Sequence, residues 1–381
     1  MSLKSETSMV LTPRLQLVAW ELTRSCNLLC EHCRASALKG PYPGELNSEE
    51  CFRLIDQIHQ IGQPILILTG GEPLLREDIF EIAGYASKKG FRVVMGTNGT
   101  LIDSETARRM KEASVARIGV GLDFPNAELQ DQFRGHPGAF DAAIKGINNA
   151  REAGIGIQIN ATITRKNVDF LDEMLELAKN LGAVAFHPFM LVPTGRGKGL
   201  AEVELSPEEY ESILNWIYDK QQQLGDRVFF KPTDAPHYLR IVRQREKQSR
   251  SEATTEDNHY DSSCPAHQQS HGHGINSLSR GCLAGTGFCF ISHRGEVQGC
   301  GYLDVVAGNI RDNTFAEVWN DSQLFCDLRD LRLYKGKCGE CEYKKLCGGC
   351  RARAYEATGD YLEAEPYCVH QPVKKVMNQV H

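Results

Sequence analysis

The chain has 381 residues, 41% hydrophobic and 24% charged, a composition typical of a globular protein with room for one large domain and a smaller one. A net charge of -6 argues against nucleic acid as the main partner, and no apolar run approaches the ~20 residues that a membrane-spanning helix needs. Residues 1–13 lack an apolar signal core, so a cytoplasmic location is expected; in that reducing compartment, 14 cysteines point to metal ligation rather than disulfides.

From residue 16 to about 191 the pattern alternates strand and helix, with strands predicted at 16–22, 65–69, 92–96, 117–122, 155–163 and 184–190. Asn47 and Glu50 form a capping-box start for a helix carrying Leu54, Ile55, Ile58 and Ile61 on one face. Further helices are predicted at 78–89, 104–112, 140–153 and 168–181, several ended by glycine (Gly90, Gly154, Gly182). Successive βα units imply a parallel sheet with right-handed crossovers, which by itself fits an open doubly wound sheet or a barrel. Ser206 to Glu209 opens one more capped helix, ending near 223. Residues 244–273 lose apolar periodicity and read as a linker. The expected division is a tail at 1–15, a barrel-type domain at 16–200, a helix and linker at 201–275, and a cysteine-rich domain at 276–381.

Polar residues recur at the C-terminal ends of the predicted strands, where chemistry gathers in parallel α/β barrels. After the first strand stands Ser25-Cys26-Asn27-Leu28-Leu29-Cys30-Glu31-His32-Cys33, a C-x3-C-x2-C triplet. Three such thiolates can hold three irons of a cubane cluster and leave the fourth open. Zinc is the alternative, but it wants a fourth ligand, and His32 is poorly placed inside the triplet. After the second strand comes Gly70-Gly71-Glu72-Pro73, where glycines allow close backbone approach to a ligand and Glu72 can offset an ammonium. Thr97-Asn98-Gly99, Asp123, Asn160, Thr162 and His187 follow at later strand ends. The C-terminal region carries Cys282, Cys289, Cys300, Cys338, Cys341, Cys347, Cys350 and Cys368, ordered C-x12-G-x4-C and then C-x2-C-x5-C-x2-C. Iron–sulfur clusters or a zinc ribbon would suit these pairs. Cys51 and Cys326 read as ordinary buried thiols, and Cys264 as a linker cysteine that could touch substrate or a cluster.

The triplet followed by Gly70-Gly71-Glu72-Pro73 resembles the signature of radical S-adenosylmethionine (SAM) enzymes, and the C-terminal array resembles their SPASM extension. The resemblance implies a partial (β/α)6 barrel with a small C-terminal iron–sulfur domain. It implies that Cys26, Cys30 and Cys33 bind a catalytic [4Fe–4S] cluster, and that Gly70, Gly71 and Glu72 receive the methionyl amine of SAM. Arg134, within Asp131-Gln132-Phe133-Arg134-Gly135, would meet the cofactor carboxylate, and Asn160 would add a polar contact. Gly121 stands where many relatives have Ser. Two auxiliary [4Fe–4S] clusters are implied, one on Cys282, Cys289, Cys300 and Cys350 and one on Cys338, Cys341, Cys347 and Cys368. The usual extension has three residues before the last cysteine of the dense group, where Gly348 and Gly349 leave two.

The stretches Arg280–Thr286, Cys300–Leu303, Gly348–Ala354 and Thr358–Leu362 look like the haem-biosynthetic branch of the family. Within it, the complete cysteine set resembles the member that decarboxylates Fe-coproporphyrin III. That resemblance implies a radical taking hydrogen from a propionate β-carbon, loss of carbon dioxide to leave a vinyl group, and a surplus electron for the auxiliary clusters. Electron donor and acceptor proteins are then expected partners. Arg196, Lys198 and Lys231 suit the carboxylates of such a substrate, and His187, His271 and His273 are candidate axial ligands to its iron. The alternatives are an enzyme trimming siroheme derivatives, a SPASM peptide maturase, and a non-catalytic iron–sulfur electron carrier. Peptide maturases usually place a docking domain before the barrel, where this chain has residues 1–15.

Overall fold

The computed structural model describes residues 9–256 and 280–373. Six parallel strands follow in chain order: β1 (Leu17–Thr23), β2 (Ile65–Gly70), β3 (Val93–Thr97), β4 (Arg117–Gly121), β5 (Gly156–Ile163) and β6 (Ala185–Met190). Each lies within two residues of its predicted span. In β5, Ile157, Ile159, Ala161 and Ile163 are buried while Gly156, Gln158, Asn160 and Thr162 are only partly so. Residues of a strand alternate between faces. The apolar set therefore packs under the helices, and the polar set lines an interior.

The helix Ser48–Ile61 begins at the predicted Asn47–Glu50 capping box and buries Leu54, Ile55 and Ile58. Gly90, Gly154 and Gly182 follow helix ends with φ of 89°, 72° and 74°, the left-handed region in which glycine meets no Cβ penalty. The helix Ala127–Arg134 was not anticipated; Asn126 caps it and Gly135 ends it.

The sheet is larger than six strands. Its order is β10-β9-β8-β1-β2-β3-β4-β5-β6-β7, a partial barrel whose two edges are not joined. β7 (Phe229–Phe230) adds to β6. The cysteine-rich segment supplies β8 (Phe288–Ile291), parallel to β1, and then antiparallel β9 (Glu296–Gln298) and β10 (Val306–Asn309). Arg353, buried beyond Cys350, ties this segment to the far side of the barrel by donating to the carbonyls of Met190 (3.3 Å), Leu191 (2.9 Å) and Asp234 (3.0 Å). The stretch read as a linker starts differently: a helix runs over Tyr238–Glu256. Among the described residues, no helix is long and apolar enough to cross a membrane.

Candidate active site

The triplet loop leaves β1 and is fixed by its neighbours on the rim. Gly70 and Gly71 allow the end of β2 to press on the backbone that leads to Cys26; a Cβ on either would lie 2.4 Å from the carbonyl oxygen of Thr23 or Ser25. Their small size therefore serves the packing of the loop as well as any ligand. Asn98 Nδ2 donates to Asn27 Oδ1 at 2.8 Å, and Asn27 Nδ2 donates to Thr100 Oγ1 at 2.9 Å. Each sulfur of the triplet receives a hydrogen-bond donor: Leu28 N–H to Cys26 at 3.4 Å, Ala37 N–H to Cys33 at 3.4 Å, and Arg134 Nη1 to Cys30 at 3.7 Å. Donors aimed at three neighbouring sulfurs are what thiolate ligands of an iron–sulfur cluster require, so these residues fit the group. Burial pushes the Cys26 thiol up to about 11. His32 stacks on Phe133, ring centroids 4.7 Å apart.

Glu72 is fully buried. It accepts from Thr97 Oγ1 (2.8 Å), Leu74 N–H (3.1 Å) and Asn98 N–H (2.7 Å), yet burial still pushes its carboxyl up to about 7. A carboxylate so desolvated gains from an incoming ammonium. Arg134 is ion-paired to Asp123 at 2.5 Å, and Asp123 in turn accepts from Thr162 N–H at 2.8 Å. Burial disfavours the guanidinium charge, but Asp123 and Cys30 outweigh it and raise the Arg134 pKa. This explains Gly121: a Cβ there would sit 2.3 Å from Arg134 Nη2, so the residue is glycine because the guanidinium fills its place. Asn160 faces the interior, its Oδ1 accepting from Gln158 Nε2 at 2.8 Å.

Two expected substrate contacts are committed elsewhere. Arg196 donates to the carbonyls of Cys30 (2.9 Å) and Ala37 (2.7 Å), clamping the triplet loop. Lys198 is exposed and pairs with Glu356 at 3.3 Å. Lys231 does lie at the barrel interior. Arg117, which sequence reasoning passed over, joins it, and both charges are felt at His187. Neither cation has a carboxylate within ion-pair distance among the described residues, and burial lowers the pKa of both. His187 Nδ1 lies 3.0 Å from Gln158 Nε2, and its buried Nε2 has no partner among the described residues. His271, His273 and Cys264 lie outside the described residues.

The C-terminal thiols gather into two groups. Cys338, Cys341, Cys347 and Cys368 line one cavity. Cys338 accepts from Glu365 N–H (3.3 Å), Cys341 from Tyr343 N–H (3.4 Å) and Cys347 from Gly349 N–H (3.4 Å), the donor pattern of the first triplet repeated. Cys300 and Cys350 each lie within charge–charge reach of Cys282. Cys289 does not join them. It pairs with Val18 in the β1–β8 register and is wholly buried in the core. Its neighbour Phe290 faces the other way, under the Arg34 guanidinium at 4.4 Å, and Arg34 donates to the carbonyl of Gly301 beside Cys300. Alternation along the strand thus puts Cys289 on the face away from Cys300. Cys51 is buried as expected, but Cys326 is exposed, contrary to expectation, because its helical position points outward.

Arg34 also pairs with the buried Glu21 of β1 at 2.5 Å, and Glu21 accepts from His293 at 2.7 Å. Burial opposes the Glu21 charge, but His293 and Arg34 overcome it and hold the carboxyl at about 2. This network joins the residue after Cys33 to the residue after Cys300. An alternating apolar strand with a lone charge was the only sequence signal for it.

Residues 20–185 match the radical SAM superfamily, and residues 282–351 match an iron–sulfur cluster-binding domain, SPASM. The chain is 48% identical over 361 residues to the AdoMet-dependent heme synthase of Nitratidesulfovibrio vulgaris, covering 95% of this chain and 94% of that protein. It is 49% identical over 360 residues to the AdoMet-dependent heme synthase of Methanosarcina barkeri, covering 94% and 98%. In fold it is similar to Streptococcus suis SuiB bound to S-adenosylmethionine, with a TM-score of 0.70 at 17% identity, covering 93% of this chain and 77% of that one. The chain belongs to the radical SAM enzymes that carry a SPASM domain, in the branch that makes haem. It is an enzyme that binds SAM, a [4Fe–4S] cluster and auxiliary iron–sulfur clusters.

Proposed function

We propose that the chain oxidatively decarboxylates two propionate side chains of Fe-coproporphyrin III to vinyl groups, giving haem b. The observation that carries this reading is the barrel interior, where Arg117 and Lys231 bring positive charge to His187; among the described residues neither forms a close ion pair, and only Asp234 reaches Lys231 by its charge. A metalloporphyrin with several carboxylates supplies the missing anions, and the unpartnered Nε2 of His187 is the kind of atom that ligates porphyrin iron.

Cys26, Cys30 and Cys33 hold the catalytic cluster in this reading; Glu72 and the Gly70–Gly71 backbone take the methionyl ammonium, and Arg134, steadied by Asp123, its carboxylate. When bound, SAM and the catalytic cluster supply a hydrogen-abstracting carbon radical, and the auxiliary clusters supply an electron acceptor. The chain orients one propionate β-carbon, neutralises the remaining carboxylates with Arg117 and Lys231, and keeps water from the buried rim. Each round removes one hydrogen atom from the β-carbon, releases carbon dioxide, and leaves one electron to be taken away.

The test is anaerobic incubation with SAM, a reductant, an electron acceptor and Fe-coproporphyrin III, followed by mass spectrometry of the pigment. The expected result is protohaem, with a singly decarboxylated intermediate on the way. Active protein that leaves this porphyrin unchanged while altering a siroheme derivative or a peptide overturns the reading.

A further inference from the structure

The cavity lined by Cys338, Cys341, Cys347 and Cys368 has one wall that the cysteine pattern does not explain. His237 stands in it, 1% exposed, and neither ring nitrogen has a partner among the described residues. The ring is not loose. It stacks on Tyr210 with centroids 4.7 Å apart, and its backbone carbonyl receives the N–H groups of Arg240 and Ile241 at the start of the helix Tyr238–Glu256. An imidazole always carries at least one N–H, and burying that donor without an acceptor costs free energy. Held in place and facing a cavity of four thiols, the donor has one kind of acceptor in prospect, the sulfur of whatever the thiols ligate.

The rest of the wall carries three cations, Arg240, Lys337 and Lys344, against one carboxylate, Glu365. Arg240 is itself fixed by Glu211 at 2.5 Å and Gln244 at 2.7 Å, and Lys344 reaches the carbonyl of Gly339 at 2.7 Å.

We propose that His237 donates an N–H···S hydrogen bond to the auxiliary cluster held by Cys338, Cys341, Cys347 and Cys368, and with Arg240 and Lys337 makes that cluster easier to reduce. The proposal rests on the ligand assignment for those four cysteines. Hydrogen bonds to cluster sulfur and nearby positive charge raise a reduction potential because the reduced cluster is one electron more negative. Reduction adds one electron to the cluster, and the proton stays on the imidazole. His237 is thus a positioning residue for electron removal, with no bond to substrate.

The experiment uses full-length protein with Cys26, Cys30 and Cys33 changed to Ala, so that only auxiliary clusters are seen. Redox titration followed by electron paramagnetic resonance compares His237 with His237→Leu and His237→Gln. Loss of the donor in His237→Leu should lower the reduction equilibrium constant about tenfold, a shift of about 59 mV for a one-electron couple. His237→Gln, which keeps an N–H, should recover most of it. A second measurement needs no stability in the Leu variant. With 15N-histidine, pulsed resonance on the reduced protein should show a weak nitrogen coupling that His237→Gln removes. An unchanged potential with full iron content, no nitrogen coupling, or a coupling as strong as that of a ligating imidazole each overturns the proposal. Failure of the ligand assignment shows separately, as an iron content that does not fall when Cys341 is changed to Ala.

Discussion

The loop bearing Cys26, Cys30 and Cys33 and the array bearing Cys338, Cys341, Cys347 and Cys368 both aim backbone N–H groups at sulfur, but the side-chain donors around them differ. Around the first, each guanidinium is committed: Arg134 to Asp123, Arg34 to Glu21, and Arg196 to the Cys30 and Ala37 carbonyls. Around the second, Arg240 is likewise committed to Glu211 and Lys337 to the carbonyl of Cys368, but His237 keeps both ring nitrogens unused among the described residues. The contrast fits two tasks. Bringing a small cofactor onto one open iron needs fixed geometry, whereas taking up an electron gains from a donor still free to meet the added charge.

The comparison breaks most severely if the triplet is removed. Changing Cys26, Cys30 and Cys33 together to Ala should remove about four irons per chain and abolish reductive cleavage of SAM, as read by iron assay and 5′-deoxyadenosine formation. An intact cleavage rate would mean that the catalytic cluster lies elsewhere.

The next effect separates two cysteines that the family resemblance groups together. Cys300→Ala should cost about four irons, whereas Cys289→Ala should cost none, because Cys289 packs in the core behind β8. Iron lost in both variants would show that β8 turns its cysteine towards Cys300 when metal is bound.

A smaller change sharpens the account of the rim. Gly121→Ala places a methyl against the Arg134 guanidinium, and overpacking of this kind costs about 1–3 kcal/mol. The expected outcome is a lower melting temperature together with weaker SAM binding by calorimetry. Unchanged SAM affinity would remove Arg134 from the proposed cofactor site.

The smallest contrast is between two lysines. Lys231→Met should weaken Fe-coproporphyrin III binding about tenfold, or about 1.4 kcal/mol. Lys198→Met should leave it unchanged, since an exposed ion pair contributes about 0–1 kcal/mol. Absorbance titration of the pigment reads both.

The order and direction of β1 to β6 were legible because apolar strand runs alternate with amphipathic helical stretches, several of them ended by glycine. The rim residues were legible because their types are chemically unusual in short runs. What escaped depends on contacts distant in sequence. β8 joins β1 across some 270 positions, about the separation from Leu17 to Phe288, and nothing local in Phe288–Ile291 announces a parallel partner. The family resemblance groups Cys289 with Cys300, and only strand alternation parts them. Arg196 looked like a substrate contact because sequence cannot show that backbone carbonyls already occupy it. His237 and Arg117 carry no motif, and their interest comes from lacking side-chain hydrogen-bond or ion-pair partners among the described residues.

The division of labour is tested most directly by counting two products in one experiment. Protein with Cys341→Ala, given SAM, reductant and Fe-coproporphyrin III without oxygen, should still form 5′-deoxyadenosine while vinyl product falls sharply relative to the unchanged chain. Vinyl product formed at the unchanged rate and yield would contradict the account, because the electron would then be leaving by a route that does not need this array.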